Sequence, residues 1–372
     1  MTDLTIPAEL RPADGRFGVG PSKIRPTAVS ALAARAGDVL GTSHRKAAVK
    51  GQVRRVREGL ATFFDLPDGY EVALGNGGAT LFWDAAAYGL IEQRSAHAVC
   101  GEFSQKFAKV TAGAPHLADP VVVEAPFGQA ATLTATDGVD LYALTHCETS
   151  TGVAMPVVRP EGAQGLVAVD ATSAAGGLAV NLAEVDAYYF SPQKCFASDG
   201  GLFLALLSPA ALERIERIAA SDRWIPPMLD LATAVENSRK DQTYNTPAVA
   251  TLVLMAEQLD WMNAKGGLAW AATDCAAKAG HLYAWAEAHP AATPYVEDPA
   301  VRSNVVVTID FSDDVDAGAV AATLRANGIL DTEAYRKLGR NQLRIAVFPA
   351  VDFADVEALT AAIDFVISEL AA

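Results

Sequence analysis

Lys194 is the residue of this sequence whose surroundings best suit covalent chemistry. It follows the aromatic run Tyr188–Phe190 by four residues, and apolar residues and the Gly200-Gly201 pair surround it rather than other charges. Such surroundings desolvate an amine, which disfavours the ammonium form and lowers the pKa from about 10.4. A neutral amine can attack a carbonyl group and form a Schiff base. The alternative is a lysine whose stem packs on apolar neighbours while its ammonium group reaches solvent.

Asp170 is the second candidate, a carboxylate directly after the apolar run Gly165–Val169. A carboxylate at the end of an apolar strand is costly unless it is paired. It could cap the following turn through Thr172 or Ser173. It could also pair with a protonated ring nitrogen of a cofactor.

The stretch Gly75–Thr80 lies between a predicted strand at 70–74 and a predicted helix at 81–93. A glycine-rich turn at that place gathers free backbone N–H groups and the positive end of the helix dipole, which favours a phosphate. The alternative is an ordinary tight turn. A dinucleotide-binding pattern needs another glycine where Leu81 stands, so a NAD-dependent enzyme is disfavoured.

A phosphate cradle, a Schiff-base lysine and a carboxylate for a pyridinium nitrogen are the three features that pyridoxal phosphate requires. Phe103 could supply an aromatic face that stacks on the ring of this cofactor. Its alternative role is to pack in the core. The sequence therefore predicts a pyridoxal-phosphate site built from Lys194, Asp170 and the 75–80 turn.

The elements that must position these residues form an α/β pattern. Short apolar runs alternate with turns and helices, and their apolar character on both faces predicts a mostly parallel sheet covered by helices on both sides. The predicted strands after the first are 97–100, 121–124, 141–145, 166–169, 187–190 and 202–206. Ligands gather beyond the carboxyl ends of such strands, where Thr149, Asp170 and the Gln193-Lys194 pair follow.

The last third of the chain has a different pattern of predicted helices and strands. A long apolar helix begins at Thr246-Pro247, and Gly266-Gly267 ends it. Helices are predicted at 268–288, 317–327 and 354–370, and strands at 304–309 and 342–347. We therefore expect a large cofactor-binding domain of residues 16–265 and a small α+β domain of residues 1–15 and 266–372.

Composition excludes several classes of protein. The formal charge of −15 argues against a nucleic-acid binder, which needs a basic face. The four cysteines lack metal or disulfide spacing, so neither a metal site nor a disulfide framework is expected. The N-terminus lacks a basic start and an apolar run of signal length, and no run of about 18 apolar residues could span a membrane. A cytoplasmic enzyme is expected.

Several motifs, taken in order, resemble the phosphoserine aminotransferases, a class V group of fold-type I pyridoxal-phosphate enzymes, in a form similar to the actinobacterial ones. The resemblance covers nearly the whole chain. The motifs that carry it are Gly20-Pro21, Ser43-His44-Arg45, Gly77-Gly78-Ala79, Glu148-Thr149, Asp170, Gln193-Lys194, Asn245-Thr246-Pro247 and the pair Arg336 and Arg344.

The resemblance implies a role for each residue that touches the cofactor. Lys194 would hold pyridoxal phosphate as a Schiff base and then move the substrate α-proton. Asp170 would keep the pyridinium nitrogen protonated, Phe103 would stack on the ring, and Thr149 would bond the phenolic oxygen or nearby atoms.

The cofactor phosphate would be held from two subunits. Gly78, Ala79 and Gln193 would bind it from one chain of a homodimer. Asn245 and Thr246 would reach it from the partner chain.

The substrates implied are glutamate and 3-phosphohydroxypyruvate, with 4-phosphohydroxythreonine of pyridoxine biosynthesis also allowed. Arg344 would grip the α-carboxylate as a bidentate fork. His44, Arg45 and Arg336 would bind the substrate phosphate or the distal carboxylate of glutamate. Tyr335 stands where relatives often have a His, so a phenol would replace one donor to the substrate phosphate.

Two alternatives remain at this point. Another class V enzyme is the closer one, either an alanine- or serine-glyoxylate-type aminotransferase or a cysteine desulfurase. A desulfurase needs a mobile cysteine, and Cys275 in an Ala-rich helical pattern suits the core instead. The second is a non-catalytic protein on the same fold, which would lack Lys194 or Asp170.

Overall fold

The computed structural model describes residues 4–371. The strands of its first part are β1 (Glu71–Asn76), β2 (Ser95–Val99), β3 (Val121–Glu124), β4 (Leu141–Thr145), β5 (Cys147–Glu148), β6 (Val153–Ala154), β7 (Leu166–Asp170), β8 (Ala187–Phe190) and β9 (Leu202–Leu207). β5 and β6 form a two-stranded ribbon. The other seven form one sheet in the order β1-β9-β8-β7-β4-β2-β3.

Within the large sheet, β9 runs against the direction of the other strands. It pairs antiparallel with both of its neighbours, β1 and β8, whereas the remaining neighbouring pairs are parallel. The carboxyl ends of β4, β7 and β8 therefore meet at one edge. This confirms the predicted mostly parallel sheet.

Helices cover both faces of this sheet. They are α1 (Pro26–Val39), α2 (Ala47–Phe63), α3 (Ala79–Gly89), α4 (Glu102–Gly113), α5 (Pro209–Ala219), α6 (Leu231–Arg239) and α7 (Val249–Ala264). Successive residues of a strand point to opposite faces. Accordingly Tyr188 packs into the core shared with α2 and α7, and Tyr189 into the core shared with α3 and α4. Apart from the edge strand β3, whose residues are half-buried or exposed, the strands are buried on both sides, as their continuous apolar runs predict.

A second sheet follows in the last third of the chain. It contains β10 (Ala292–Pro294), β11 (Val306–Phe311) and β12 (Gln342–Ala346), all antiparallel, with α8 (Gly267–Ala288), α9 (Ala317–Ala326) and α10 (Phe353–Ala371). Its hydrophobic core includes Ile6 and Phe17 from the N-terminal segment. The first turns of α8 instead pack on the large core through Ala271 and Cys275.

The division into domains at residue 265 stays a prediction, and residues 1–3 and 372 of the proposed small domain lie outside the described part of the chain. No helix within residues 4–371 combines the length and the apolar character that crossing a bilayer requires.

Element boundaries differ from the predicted ones where side chains intervene. β11 begins at Val306 rather than at residue 304, because the Ser303 hydroxyl accepts hydrogen bonds from the N–H groups of Val305 and Val306 and holds them in a turn. α3 begins at Ala79 rather than at Leu81, which places its N-terminus directly after the glycine turn.

Candidate active site

A cavity of about 210 Å³ lies beyond the carboxyl ends of β4, β7 and β8. This is the location expected for a ligand of an open parallel sheet. Seven of the predicted site residues line it, namely Gly78, Ala79, Phe103, Thr149, Asp170, Gln193 and Lys194. The other six, which the resemblance assigns to a partner chain or to the substrate, are not among its lining residues. They are His44, Arg45, Asn245, Thr246, Arg336 and Arg344.

Lys194 carries the reactive amine of the cavity. Its Nζ donates a hydrogen bond to the backbone oxygen of Val19. Loss of hydration lowers the pKa of this amine to about 8, and the Arg344 cation nearby adds to the effect. Much of the amine is therefore neutral at pH 8, in the form that can attack a carbonyl or accept a proton.

This pKa predicts how the amine reacts with a small aldehyde. We expect the rate of Schiff-base formation at Lys194 to rise with pH and to level off above about 8, because only the neutral amine attacks. An ordinary lysine would continue to gain reactivity up to about pH 10.4. The measurement is borohydride trapping on cofactor-free protein, followed by peptide mass spectrometry over a pH series, with Lys194→Ala as the background control. A plateau only above pH 10 would contradict the lowered pKa.

Gly20 lies against the side chain of Lys194. Its φ of +135° belongs to a region that residues with side chains rarely adopt. A Cβ atom at this position would overlap the last carbon atoms and the nitrogen of Lys194. Glycine is therefore required here to leave room for the amine.

Asp170 ends β7 and is 5% exposed. Its Oδ2 accepts a hydrogen bond from Trp83 Nε1 at 2.9 Å, and its Oδ1 accepts one from the N–H of Thr172 at 2.9 Å. Burial raises the pKa of this carboxyl, while the hydrogen bonds and Lys194 oppose the rise. The turn-capping role considered from the sequence is thus present. It leaves the carboxylate facing the same cavity as Lys194.

The glycine turn lies at the N-terminus of α3. Gly77 and Gly78 have φ of +107° and +91°, which allows the sharp turn out of β1. Ser191, one residue beyond β8, ties this turn to the sheet, since its Oγ accepts from the N–H of Ala79 at 2.6 Å and donates to Leu202 O at 3.1 Å. The positive end of the α3 dipole therefore faces the cavity.

The polar groups of the cavity fit a phosphorylated aromatic cofactor. Gln193 Oε1 and Thr172 Oγ1 are buried and have no hydrogen-bond partner, although buried polar atoms normally have one. Phe103 contributes an aromatic wall. Hydrogen-bonding groups, a helix N-terminus and an aromatic face thus converge on one space.

Arg344 lies on β12 beside this space. Its Nη1 donates to the backbone oxygen of Thr149 at 2.9 Å, and its guanidinium carbon lies 5.2 Å from the centre of the Tyr335 ring. Its Nε is buried without a partner, and desolvation lowers the pKa of the group. The geometry leaves donors of Arg344 available for an anion.

Arg336 is exposed on the segment before β12. Its neighbours hold that segment beside α4, because Lys337 forms an ion pair with Glu102 and the Tyr335 ring centre lies 6.2 Å from that of Phe103. Arg336 is therefore the next residue after Tyr335, whose ring lies beside Phe103 in the wall of the cavity.

His44 is buried, and its Nδ1 lies 3.1 Å from Thr246 Oγ1. Desolvation, with Arg45 nearby, lowers the pKa of His44, and its Nε2 has no hydrogen-bond partner. Arg45, Asn245 and Thr246 are exposed. These four residues thus form a cluster on the surface of the chain.

Trp83 and Ser191 are site residues that the sequence did not reveal. Both act on predicted residues, Trp83 on Asp170 and Ser191 on Ala79. Trp83 stands four residues after Ala79, so the two share one face of α3. That spacing was the available signal for Trp83.

The chain matches the family model described as aminotransferase class-V over residues 20–333. A phosphoserine aminotransferase of Nocardioides sp. is 63% identical over 374 residues, which cover all of both chains.

Solved structures are similar in fold. A phosphoserine aminotransferase of Cytophaga hutchinsonii superposes with a TM-score of 0.86 at 26% identity, over 95% of this chain and 99% of that one. A phosphoserine aminotransferase of Bacillus circulans gives a TM-score of 0.84 at 20% identity, over 96% and 99% of the two chains.

Proposed function

The chain belongs to the class-V aminotransferase family, and from that premise we propose that it transfers an amino group from glutamate to 3-phosphohydroxypyruvate with pyridoxal phosphate as its cofactor. The products are O-phosphoserine and 2-oxoglutarate. The observation that carries the proposal is that Lys194, with its lowered pKa, and the buried Asp170 line the same cavity.

Pyridoxal phosphate, when bound, supplies an electron sink for the negative charge that develops at the substrate α-carbon. Lys194 would hold the cofactor covalently through Nζ and would move the α-proton with the same atom. A base with a pKa of about 8 suits this task, since it is partly neutral near its working pH and still returns the proton readily.

Asp170 holds the proton on the ring nitrogen of the cofactor. Its buried carboxylate has a raised pKa because it lacks full compensation for its charge. A protonated ring nitrogen supplies the missing positive partner. Trp83 and Thr172 fix the carboxylate from two sides, so it stays oriented towards the cavity.

The N-terminus of α3 would hold the phosphate of the cofactor. Gly78 and Ala79 bring the backbone close, and the helix dipole favours the anion. Gln193, which lines the same cavity, would contribute its side-chain amide.

Arg344 binds the substrate α-carboxylate. Its contact with Thr149 O fixes one edge of the guanidinium group, and its unpartnered Nε leaves a donor for the carboxylate. Arg336, Arg45 and His44 bind the distal anion, which is a phosphate in one substrate and a carboxylate in glutamate. The same three residues would serve both half-reactions, with the two arginines as the permanent cations.

Replacing Arg336 by alanine tests the distal-anion role. We expect kcat/KM for 3-phosphohydroxypyruvate and for glutamate to fall about tenfold or more, because a charge-assisted hydrogen bond is lost. The value of kcat/KM for pyruvate, which has no distal anion, should change little. Arg340→Ala is the matched control, since Arg340 already forms an ion pair with Asp310. Equal effects in both variants would contradict the assignment.

A comparison of substrates separates the proposal from the alternatives. Glutamate-dependent turnover is measured with 3-phosphohydroxypyruvate, pyruvate, glyoxylate and 4-phosphohydroxythreonine. Preference for an unphosphorylated acid would favour an alanine-type enzyme.

A desulfurase is disfavoured because burial raises the pKa of Cys147, the cysteine of the cavity, to about 12, and Cys275 is fully buried.

A homodimer with shared sites is part of the proposal. Asn245 and Thr246 expose their side chains next to Tyr244 (46% exposed), which lines one pocket together with Met228 (42%). Apolar side chains exposed together mark interaction surfaces. A second copy covering them would bring Asn245 and Thr246 to the site of its partner.

Mixing two inactive variants tests this arrangement. Lys194→Ala lacks the amine, and the double variant Asn245→Ala, Thr246→Ala lacks the donors. If the sites are shared, a hybrid dimer contains one complete site, and refolding an equal mixture should restore roughly a quarter of wild-type activity. No gain on mixing, or a fully active monomer in sedimentation at assay concentration, would refute the shared site.

The four cysteines are all free and buried, which fits a reducing compartment. The proposal therefore places the enzyme in the cytoplasm. Cell fractionation that recovered it with secreted proteins would contradict this placement.

A further inference from the structure

Glu148 is a carboxylate without exposed surface, located directly before Thr149 of the cavity. A buried charge is costly unless hydrogen bonds compensate it. Within residues 4–371, none of the ion pairs includes this residue. Its compensation comes from backbone and hydroxyl donors instead.

These donors belong mainly to the first turn of α4. Oε2 accepts from Ser104 N and Ser104 Oγ, both at 2.9 Å, and from Phe103 N at 3.1 Å. Oε1 accepts from Ser150 Oγ at 2.6 Å, with Ser150 N and Phe103 N both at 3.3 Å. The first N–H groups of a helix have no partner within the helix, and its dipole favours an anion there.

The backbone of α4 also packs closely against the Glu148 side chain. A Cβ atom at Gly101 would lie 2.5 Å from Glu148 Cγ and 2.5 Å from Ser150 Oγ. The start of α4 therefore lies directly on the carboxylate, with no space for a side chain between them.

We propose that Glu148 is a positioning residue that fixes the Phe103 ring against the ring of the cofactor. It binds the backbone of Phe103, which lines one side of the cavity, and it precedes Thr149, which lines the cavity too and accepts from Arg344. One carboxylate thus sets the separation between the aromatic wall and Thr149. The inference rests on the proposed function, which assigns Phe103 its stacking role.

The test compares two ligands on cofactor-free, full-length protein. Pyridoxamine 5'-phosphate needs both the ring wall and the α3 N-terminus, whereas inorganic phosphate needs only the latter. Glu148→Gln keeps the size of the side chain but places an amide nitrogen opposite N–H donors. We expect this variant to bind pyridoxamine 5'-phosphate about tenfold more weakly, as measured by calorimetry, and to bind inorganic phosphate with unchanged affinity.

A double variant shows whether the effect passes through Phe103. In a Phe103→Ala background, Glu148→Gln should cause no further loss of affinity, because the ring that it positions is gone. An additive loss would overturn the proposal. Glu102→Gln is the matched control, with the same change of charge on a more exposed side chain of the first turn of α4, and it should leave both affinities within about twofold.

The outcomes separate this inference from the proposed function. If the wild type fails to bind pyridoxamine 5'-phosphate, the proposed function fails. If the wild type binds and Glu148→Gln weakens both ligands equally or neither, only the positioning role fails. Should Glu148→Gln not fold, Ser150→Ala removes one donor to the carboxylate, and the same selective loss, about threefold, is expected. Its absence would overturn the role.

Discussion

We expect the Lys194→Ala variant to lose at least about 10³-fold in transaminase turnover, because a positioned base and the covalent attachment would be lost together. We expect the wild-type protein to be yellow as purified, and borohydride to fix its cofactor to the peptide that contains Lys194. In Lys194→Ala we expect the cofactor still to bind, through the α3 N-terminus and Asp170, but to be removed by dialysis after borohydride treatment. Mass spectrometry of the treated proteins checks both statements.

The control for this prediction is Lys106→Ala. The Lys106 amine lies 5.1 Å from the centre of the Phe103 ring, close to the cavity, yet its side chain is exposed. It should retain nearly full activity. Small primary amines added to Lys194→Ala should restore part of the proton transfer. Full turnover in Lys194→Ala without them would overturn the assigned role.

We expect the Asp170→Ala variant to lose at least about 10²-fold in turnover, because the ring nitrogen would lose the charge that keeps it protonated. Asp170→Asn should lower turnover nearly as much, since an amide keeps the shape but carries no charge. The affected step is loss of the α-proton, so exchange of that proton in heavy water should slow as much as turnover does.

Trp83→Phe should cause a smaller loss of turnover than Asp170→Ala and serves as its comparison. It keeps an aromatic ring in the core but removes the donor that lies 2.9 Å from Oδ2. A loss of about tenfold or less is expected, the size of one hydrogen bond to a charged group. Exchange in Asp170→Ala at the wild-type rate would show that this carboxylate has no part in the reaction.

The sheet strands were predictable because their sequence signal is local. The runs 121–124, 141–145 and 187–190 are apolar stretches between polar turns, and β3, β4 and β8 coincide with them. The reversed direction of β9 was not predicted, since an apolar run buried on both faces carries no directional signal. It follows from the short link 191–201, because a parallel return needs a longer crossover.

The start of α4 shows what the sequence could not reveal. Its first turn depends on Glu148, which lies 45 residues from Phe103 along the chain. Likewise Trp83 reaches Asp170 across 87 residues. Lys194 and Asp170 were recognisable as candidates because their neighbours in the sequence are informative. Their supporting donors depend on which elements become neighbours in the folded chain.

Gly20 has a consequence for any attempt to redesign this enzyme. A methyl group there would occupy the volume of the Lys194 amine, so substitutions of increasing size at position 20 would measure how far the lysine side chain can be displaced. Active variants with a larger residue would show that Lys194 can adopt a second conformation. If every substitution abolishes activity, the lysine has only one functional conformation.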